Sequence, residues 1–393
     1  MRRRSFLKGA GIVTVAVVSG SVWRARNQGV FSIGEGPAYE PWKDWRNAGN
    51  DGPLALVRAA ILAASPHNTQ PWLFKITDSS IELHIDPQRN VGALDPYLRE
   101  EHIGMGCALE NLMLAAPANG YAATAALLPG KLDPIAAEPK SQLVARVNLA
   151  PGEREENELY NAIPRRHTNR GPYDPGKAIS PDLVDALQHL PGDDADVRLF
   201  LFTAEADRKK IAEISSAANT EIYSDPDVQH GSERWIRTKW NSVQQYRDGL
   251  TIDAFGLPPV ATAMAKVVPG QMVRWAASRR TGDGYSNLML SAPLIGFIAV
   301  RDRYAREQCL QAGRMWQRAH LFATAHGLAA RPCNEAVEMV DHERALGRPA
   351  SRVALLNEVT ADPTWRPTFV FYMGYPKLPA HASPRRPVQA VLA

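Results

Sequence analysis

Apolar positions recur at the three- and four-residue spacing of an amphipathic helix over two long stretches, residues 99–120 and 306–327. Two shorter helical patterns, 54–64 and 181–190, each run into a β-prone stretch. The first is Trp72-Leu73-Phe74-Lys75-Ile76-Thr77, followed by the alternating residues 81–85; the second is Arg198-Leu199-Phe200-Leu201-Phe202-Thr203. Residues 368–374 form a further strand pattern near the C-terminus. The pattern predicts an α+β protein.

The long helical patterns also resemble each other. At a shift of 207 positions Arg99 falls on Arg306, Glu100 on Glu307, Gly106 on Gly313, Leu114 on Leu321 and Gly120 on Gly327. The two β-prone stretches coincide at a shift of 126, each after a helical pattern. Two tandem copies are implied, with 81 extra residues in the second copy between Thr203 and Arg306. Within that interval 223–285 is rich in Trp, Arg, Gly and Pro and reads as an inserted lid or arm. The expected division is a leader at 1–26, a first half at 27–150 and a second half at 151–393.

Charge changes the picture only at the N-terminus. The formal net charge is +4, and Arg2, Arg3, Arg4 and Lys8 precede the first acidic residue, Glu35. Setting those four aside leaves 41 basic residues against 41 acidic ones, so the body lacks the basic surplus of an electrostatic nucleic-acid binder. Arg3-Arg4-Ser5-Phe6-Leu7-Lys8 followed by an uncharged run to Val22 has the layout of a signal segment and resembles a twin-arginine (Tat) export signal. A basic anchor helix is the other reading of that stretch. Three separated cysteines, Cys107, Cys309 and Cys333, exclude a disulfide framework, and the ten histidines show no metal-ligand spacing. His102 and His342, near acids, read as surface groups. No Gly-rich phosphate loop follows a strand.

Two polar motifs fall in different copies. The first copy has Ser65-Pro66-His67-Asn68-Thr69-Gln70-Pro71-Trp72 between its helix and strand, where the second has Pro191-Gly192-Asp193-Asp194. The second copy opens with Arg165-Arg166-His167-Thr168-Asn169-Arg170, which the first lacks. The Ser-Pro-His-Asn-Thr-Gln-Pro-Trp stretch resembles the loop that nitroreductase-family flavoproteins place after their second helix. The Arg166–Arg170 cluster resembles their N-terminal arginine motif. Gly327 to Glu335 is similar to their segment at the flavin ring, and Ser383-Pro384-Arg385-Arg386 to their ending. The likeness covers most of 50–390 outside the insertion. It is nearest to the Acg-like branch, in which one fused chain with a lid mimics the usual homodimer, and it implies an α+β fold in which each half is an antiparallel-to-mixed sheet flanked by long helices and the halves pack through those helices.

The resemblance implies one FMN site between the halves, with Arg166, Thr168 and Arg385 gripping the phosphate and Arg170 stabilising the charge of the reduced flavin. His167 belongs to the same group. From the first copy it implies Ser65, Pro66 and His67 along the ring or ribityl chain, and Asn68 and Gln70 at the pyrimidine edge. Pro332, Cys333, Asn334 and Glu335 would lie at the ring, with a backbone N–H of Asn334 or Glu335 toward N5. Asn334-Glu335 replaces the family's commoner Glu-Gly, which alters the approach of the backbone. No side-chain acid or base is obligatory. Cys333 reads as a half-buried structural thiol, and Arg385 and Arg386 as tail charges if they do not bind. Trp235, Trp240, Tyr246 and Trp275 either cover the site or pack the insertion onto the body.

Two functions follow from the resemblance. One is an oxidoreductase with ping-pong turnover, passing electrons from NAD(P)H or another donor to a quinone or nitroaromatic acceptor. The other is an exported protein that holds a lidded FMN with little or no NAD(P)H turnover. A remnant fold without FMN is a third. The signal implies the Tat machinery as partner, a periplasmic or outer-face location, and membrane contact only through the leader.

Overall fold

The computed structural model describes residues 23–46, 52–136, 139–190, 195–268 and 283–393. Nearly all of the expected leader, and Trp275, lie outside these residues. The first half contributes helix α1 (Leu54–Ala60), strands β1 (Trp72–Ile76) and β2 (Ser80–Ile85), the long helix α2 (Arg99–Ala118), and strands β3 (Tyr121–Leu127) and β4 (Gln142–Pro151). Its sheet has the order β1-β2-β4-β3 and every pairing is antiparallel.

The second half carries α3 (Pro181–Gln188) and β5 (Val197–Phe202). A long excursion follows: α4 (Glu205–Ile222), α5 (Pro226–Glu233), β6 (Ile236–Arg237), α6 (Trp240–Tyr246), β7 (Leu250–Thr251), α7 (Pro259–Val267) and α8 (Asp283–Leu290). The chain then forms β8 (Leu294–Val300), the second long helix α9 (Arg306–Ala325), β9 (Ala329–Pro332), α10 (Glu335–Ala345), α11 (Ser351–Thr360) and β10 (Arg366–Gly374). This sheet has the order β5-β8-β10-β9, again antiparallel throughout. Strand order, pairing sense and the place of the long helix are therefore the same in both sheets.

The additional chain is longer than 223–285. It starts directly after β5 and runs to β8, over 203–293, where the first sheet joins β1 to β2 through 77–79. A second excursion, α10 and α11, separates β9 from β10. The physical reason lies in β8, Leu294-Ile295-Gly296-Phe297-Ile298-Ala299-Val300, which is buried along its whole length. Leu294, Ile298 and Val300 join the main core with α2 and α9. Ile295 and Phe297 join a second core with Ile211 and Ala218 of α4, Met289 of α8 and Val337 of α10. A sheet covered on both faces needs the extra helices, and its central strand reads as a continuous apolar run with no alternation.

The long helices cross at two glycines. A Cβ on Gly106 would collide with the carbonyl oxygen of Leu310 and lie 3.0 Å from Gly313 Cα; a Cβ on Gly313 would collide with the carbonyl of Ile103. These contacts are mates under the 207-residue shift. So are the polar pairs one turn on, Arg318 Nε with Glu110 Oε1 at 2.5 Å and Gln317 Nε2 donating to Asn111 Oδ1 at 2.7 Å. The N-terminus of α2 is capped by one buried carboxylate. Asp95 accepts from the backbone N–H groups of Arg99, Glu100 and Glu101 at 2.9, 2.9 and 3.1 Å, satisfying three of the donors a helix start leaves open. Among the described residues no helix is long and apolar enough to cross a membrane.

Candidate functional site

A cavity of about 1080 Å³ lies between the two halves. Its wall carries Ser65 to Asn68 of the first half. The second half adds Arg166, His167, Thr168, Arg170, Pro332, Asn334 and Glu335, with Arg385 of the C-terminal segment beside Asn68. Twelve of the fourteen binding residues expected from sequence thus share one cavity. Gln70 and Cys333 do not line it.

The loop before β1 is held in a conformation that side chains rarely adopt. His67, Asn68 and Gln70 have φ of 45°, 57° and 54°. Asn tolerates this region, whereas His and Gln are strained in it. The loop is locked from several directions. Ser65 Oγ accepts from the Gln70 N–H at 3.0 Å, Thr69 Oγ1 donates to Glu101 at 2.9 Å, and His67 Nε2 meets Ser232 Oγ at 2.8 Å. The Gln70 amide donates to the Arg247 carbonyl and accepts from the Arg386 N–H, each at 2.8 Å, so it ties the loop to its neighbours and does not face the cavity. Asn68 is also engaged: its Oδ1 accepts from Arg385 Nη1 at 2.7 Å and its amide donates to the Pro384 carbonyl at 2.9 Å. Asn68 therefore positions Arg385 while lying on the wall.

Arg166 and Arg385 are both 2% exposed, and among the described residues neither makes an ion pair. Arg385 is fixed by carbonyls, with Nη2 donating to Ala63 at 2.9 Å, and its guanidinium lies 4.6 Å from the Trp42 ring. Arg166 Nη2 donates to the Leu62 carbonyl at 3.0 Å. The Nε of each, and Nδ1 of His167, has no hydrogen-bond partner. Burial pushes Arg166 down to about 10, and burial with the neighbouring Arg166 charge pushes Arg385 well below its ordinary value. His167, edge-on to Trp42 at 4.7 Å, is pushed down to about 3 by burial and by both arginines. Arg170 is pushed down to about 10 by burial and by Arg331, and donates to the Ala254 carbonyl at 3.3 Å. Such a wall is built for a multiply charged anion, because guanidinium groups match phosphate oxygens and here have no carboxylate of their own.

Sequence reasoning missed a second group on the same wall. Glu100 of α2 lies there with Glu338 from the first turn of α10, and with Tyr223 and Tyr285 from the excursion after β5. Tyr285 donates its hydroxyl proton to Glu335. Burial pushes Glu100 up to about 8 against the pull of Arg99, and raises Glu338 well above the carboxylate range with Glu100 and Glu335 adding to it. One signal was present: Arg99-Glu100-Glu101-His102 are four consecutive polar residues on a helix too central to expose them all.

Other expectations need correction. His102 and His342 are buried, at 3% and 5% exposure, because α2 and α10 both lie in the interior. Cys333 is fully buried and its thiol is raised well above its ordinary value by burial. Trp235, Trp240 and Tyr246 do not line the cavity: Trp235 is buried with Nε1 donating to the Asn90 carbonyl at 2.8 Å, and Trp240 stacks on Tyr39. The residues of the excursion that line the cavity include Tyr223, Ile236, Leu250, Phe255, Tyr285 and Leu288.

No family model matches the chain. A Mycobacterium tuberculosis protein named as an NAD(P)H nitroreductase is 26% identical over 291 residues, covering 72% of this chain and 76% of that protein. The NAD(P)H nitroreductase named acg, from the same organism, is 33% identical over 81 residues, 21% of this chain and 24% of its own length. Among solved structures, the FMN-dependent nitroreductase NfnB from Mycobacterium smegmatis in complex with NADPH is 14% identical, with a TM-score of 0.36, over 59% of this chain and 96% of that one. Iodotyrosine deiodinase bound to FMN and 3-iodo-L-tyrosine is also 14% identical, with a TM-score of 0.35, over 58% of this chain and 95% of that one. By sequence, the chain is a relative of proteins named as nitroreductases.

Proposed function

We propose that the chain is an FMN-dependent oxidoreductase of the nitroreductase type, with a single flavin site between two halves that act as an intramolecular pseudo-dimer. The observation that carries this reading is the pair of buried guanidiniums, Arg166 and Arg385, which both line the cavity and, among the described residues, are held by carbonyls and make no ion pair. A phosphate suits that wall in charge and in donors. Arg166, Arg385 and Thr168 would hold it, Arg170 would stand near the flavin ring, and 332–335 would form the ring's edge with Ser65, Pro66 and His67. Bound FMN would supply two-electron transfer, with NAD(P)H or another donor and a small quinone or nitroaromatic acceptor taking turns in the cavity. The chain's own work is to bind, orient and exclude water: apolar Ile103, Phe255 and Leu288 line the remaining space.

The covering excursion at 203–293 favours a second reading, an FMN-holding protein with little NAD(P)H turnover. Both versions include export by the twin-arginine route to the periplasm or the outer face of the inner membrane. Anaerobic addition of NADPH to the purified yellow protein decides between them. Bleaching of the flavin absorbance supports the oxidoreductase; reduction by dithionite alone supports the holding protein. A colourless protein that cannot be loaded with FMN refutes both.

A further inference from the structure

We propose that the acidic stretch of the cavity wall binds the positively charged nitrogen of an aromatic organic substrate, such as an amidine, amine or protonated N-heterocycle. The proposal rests on reading the cavity as a flavin site, since it names the class of molecule that would lie against the flavin. Three carboxyl groups from two helices meet this part of the wall: Glu100, Glu335 and Glu338. Their partners are nearly spent. Glu100 takes Arg99 Nη2 at 3.3 Å, and Glu335 takes the Tyr285 hydroxyl. Glu338 is 6% exposed, and its Oε2 has no hydrogen-bond partner. Glu338 therefore brings to the cavity lining a carboxyl group with one oxygen, shielded from solvent, that no hydrogen bond satisfies.

The nearby cations do not fill the gap. Arg99 Nε is held by Asp341 Oδ2 at 2.6 Å and Arg303 Nη2 faces Asp341 Oδ1 at 3.3 Å. Arg331 lies over the rings of Tyr285 and Tyr372 at 5.9 and 5.7 Å. Asp95, Glu100, Glu335, Glu338 and Asp341 thus outnumber Arg99, Arg303 and Arg331. Among the described residues no ion pair joins these acids to Arg166 or Arg385. Arg166 and Arg385 are thus not paired with the acids, and Arg331, beside Tyr285 on the same wall, is the cation nearest Glu335.

The chemistry selects an organic cation. Among the described residues no group of three or more His, Cys, Asp or Glu side chains is arranged to hold a metal ion. The phenol rings of Tyr223 and Tyr285 and the apolar Ile103 and Leu288 share the wall, which suits a flat body carrying one charge. Binding would ionise carboxyls that burial holds protonated, so it would release protons.

Benzamidinium and its neutral isostere benzamide test this by calorimetric titration into the purified flavin-loaded protein at pH 7.5, in two buffers of different ionisation enthalpy. Benzamidinium is expected to bind about 10-fold or more tightly than benzamide, with proton release. Glu338→Gln and Glu100→Gln are each expected to weaken benzamidinium by roughly 5-fold or more and leave benzamide unchanged. Equal binding of the two probes by the unaltered protein overturns the proposal, as does a preference that survives both substitutions. The comparison of the two probes on the unaltered protein holds even where a variant does not fold. Flavin content is read separately by absorbance. A yellow protein without the preference removes this proposal alone, and a colourless protein that cannot be loaded with FMN removes the flavin reading and this proposal with it.

Discussion

Replacing Arg166 by methionine separates a binding role from a structural one. In the flavin-free protein the guanidinium is buried with no counter-ion. Its displacement from 12.5 to about 10 corresponds to roughly 3 kcal/mol against the charged form. What the side chain returns is one good hydrogen bond, to the Leu62 carbonyl at 3.0 Å, and a long one to His320 Nδ1 at 3.4 Å. A hydrogen bond from a charged donor contributes roughly 1.5–3 kcal/mol. Methionine fills much of the space without the charge, so the two effects nearly cancel and the flavin-free variant should be as stable as the parent, within about 1 kcal/mol. Flavin binding behaves differently. Loss of a two-pronged guanidinium–phosphate contact should weaken FMN by about 100-fold, which removes about 2.7 kcal/mol of ligand-linked stability. Thermal melts of flavin-free protein with and without FMN, together with a flavin-fluorescence titration, measure both quantities. A flavin-free variant destabilised by more than about 2 kcal/mol that still gains the parental increment from FMN would falsify the assignment.

Three further outcomes are expected. Gly106→Ala or Gly313→Ala would gain about 1 kcal/mol from helix propensity in isolation, yet each new Cβ meets the backbone of the facing helix, so each should destabilise by about 3 kcal/mol in chemical denaturation. His102 is held neutral by burial, at about 4, and its Nδ1–H donates to the Leu98 carbonyl at 2.7 Å. Between pH 6.5 and 4 the unfolded chain takes up a proton that the folded protein refuses, so stability falls on acidification, and His102→Gln should flatten that fall by about 1.4 kcal/mol per pH unit. Cys107 and Cys309 are pushed up to about 12 by burial and Cys333 is raised well above its ordinary value, so the native protein should resist iodoacetamide at pH 8 and the unfolded chain should take three labels by mass spectrometry.

Much of this was legible in the chain because it is local. The spacing of apolar residues marked the long helices at 99–118 and 306–325 within two residues of their ends, and the β-prone stretches marked β1 and β5. The polar motifs 65–72 and 165–170 stood out because each is present in one copy and missing from the other. The buried central strand β8 was not legible. Its periodicity vanishes when both faces are covered, and the cover comes from helices distant in the sequence. Of the 81 extra residues counted between Thr203 and Arg306, those of α4 did not stand out for the same reason: α4 has an ordinary helical pattern, and only its packing against α8 and α10 assigns it to the second core.

The sequence alone determined the helix and strand types, the likeness of the two long helices, and which polar residues were candidates for chemistry. These are short-range properties of side-chain size, polarity and spacing. Tertiary structure decided which candidates face one another. It put Asn68 under Arg385, turned Gln70 and Cys333 away from the cavity, and brought Glu100 and Glu338 from separate helices onto one buried wall. No local rule carries that information, because burial and unpaired charge are set by residues hundreds of positions apart.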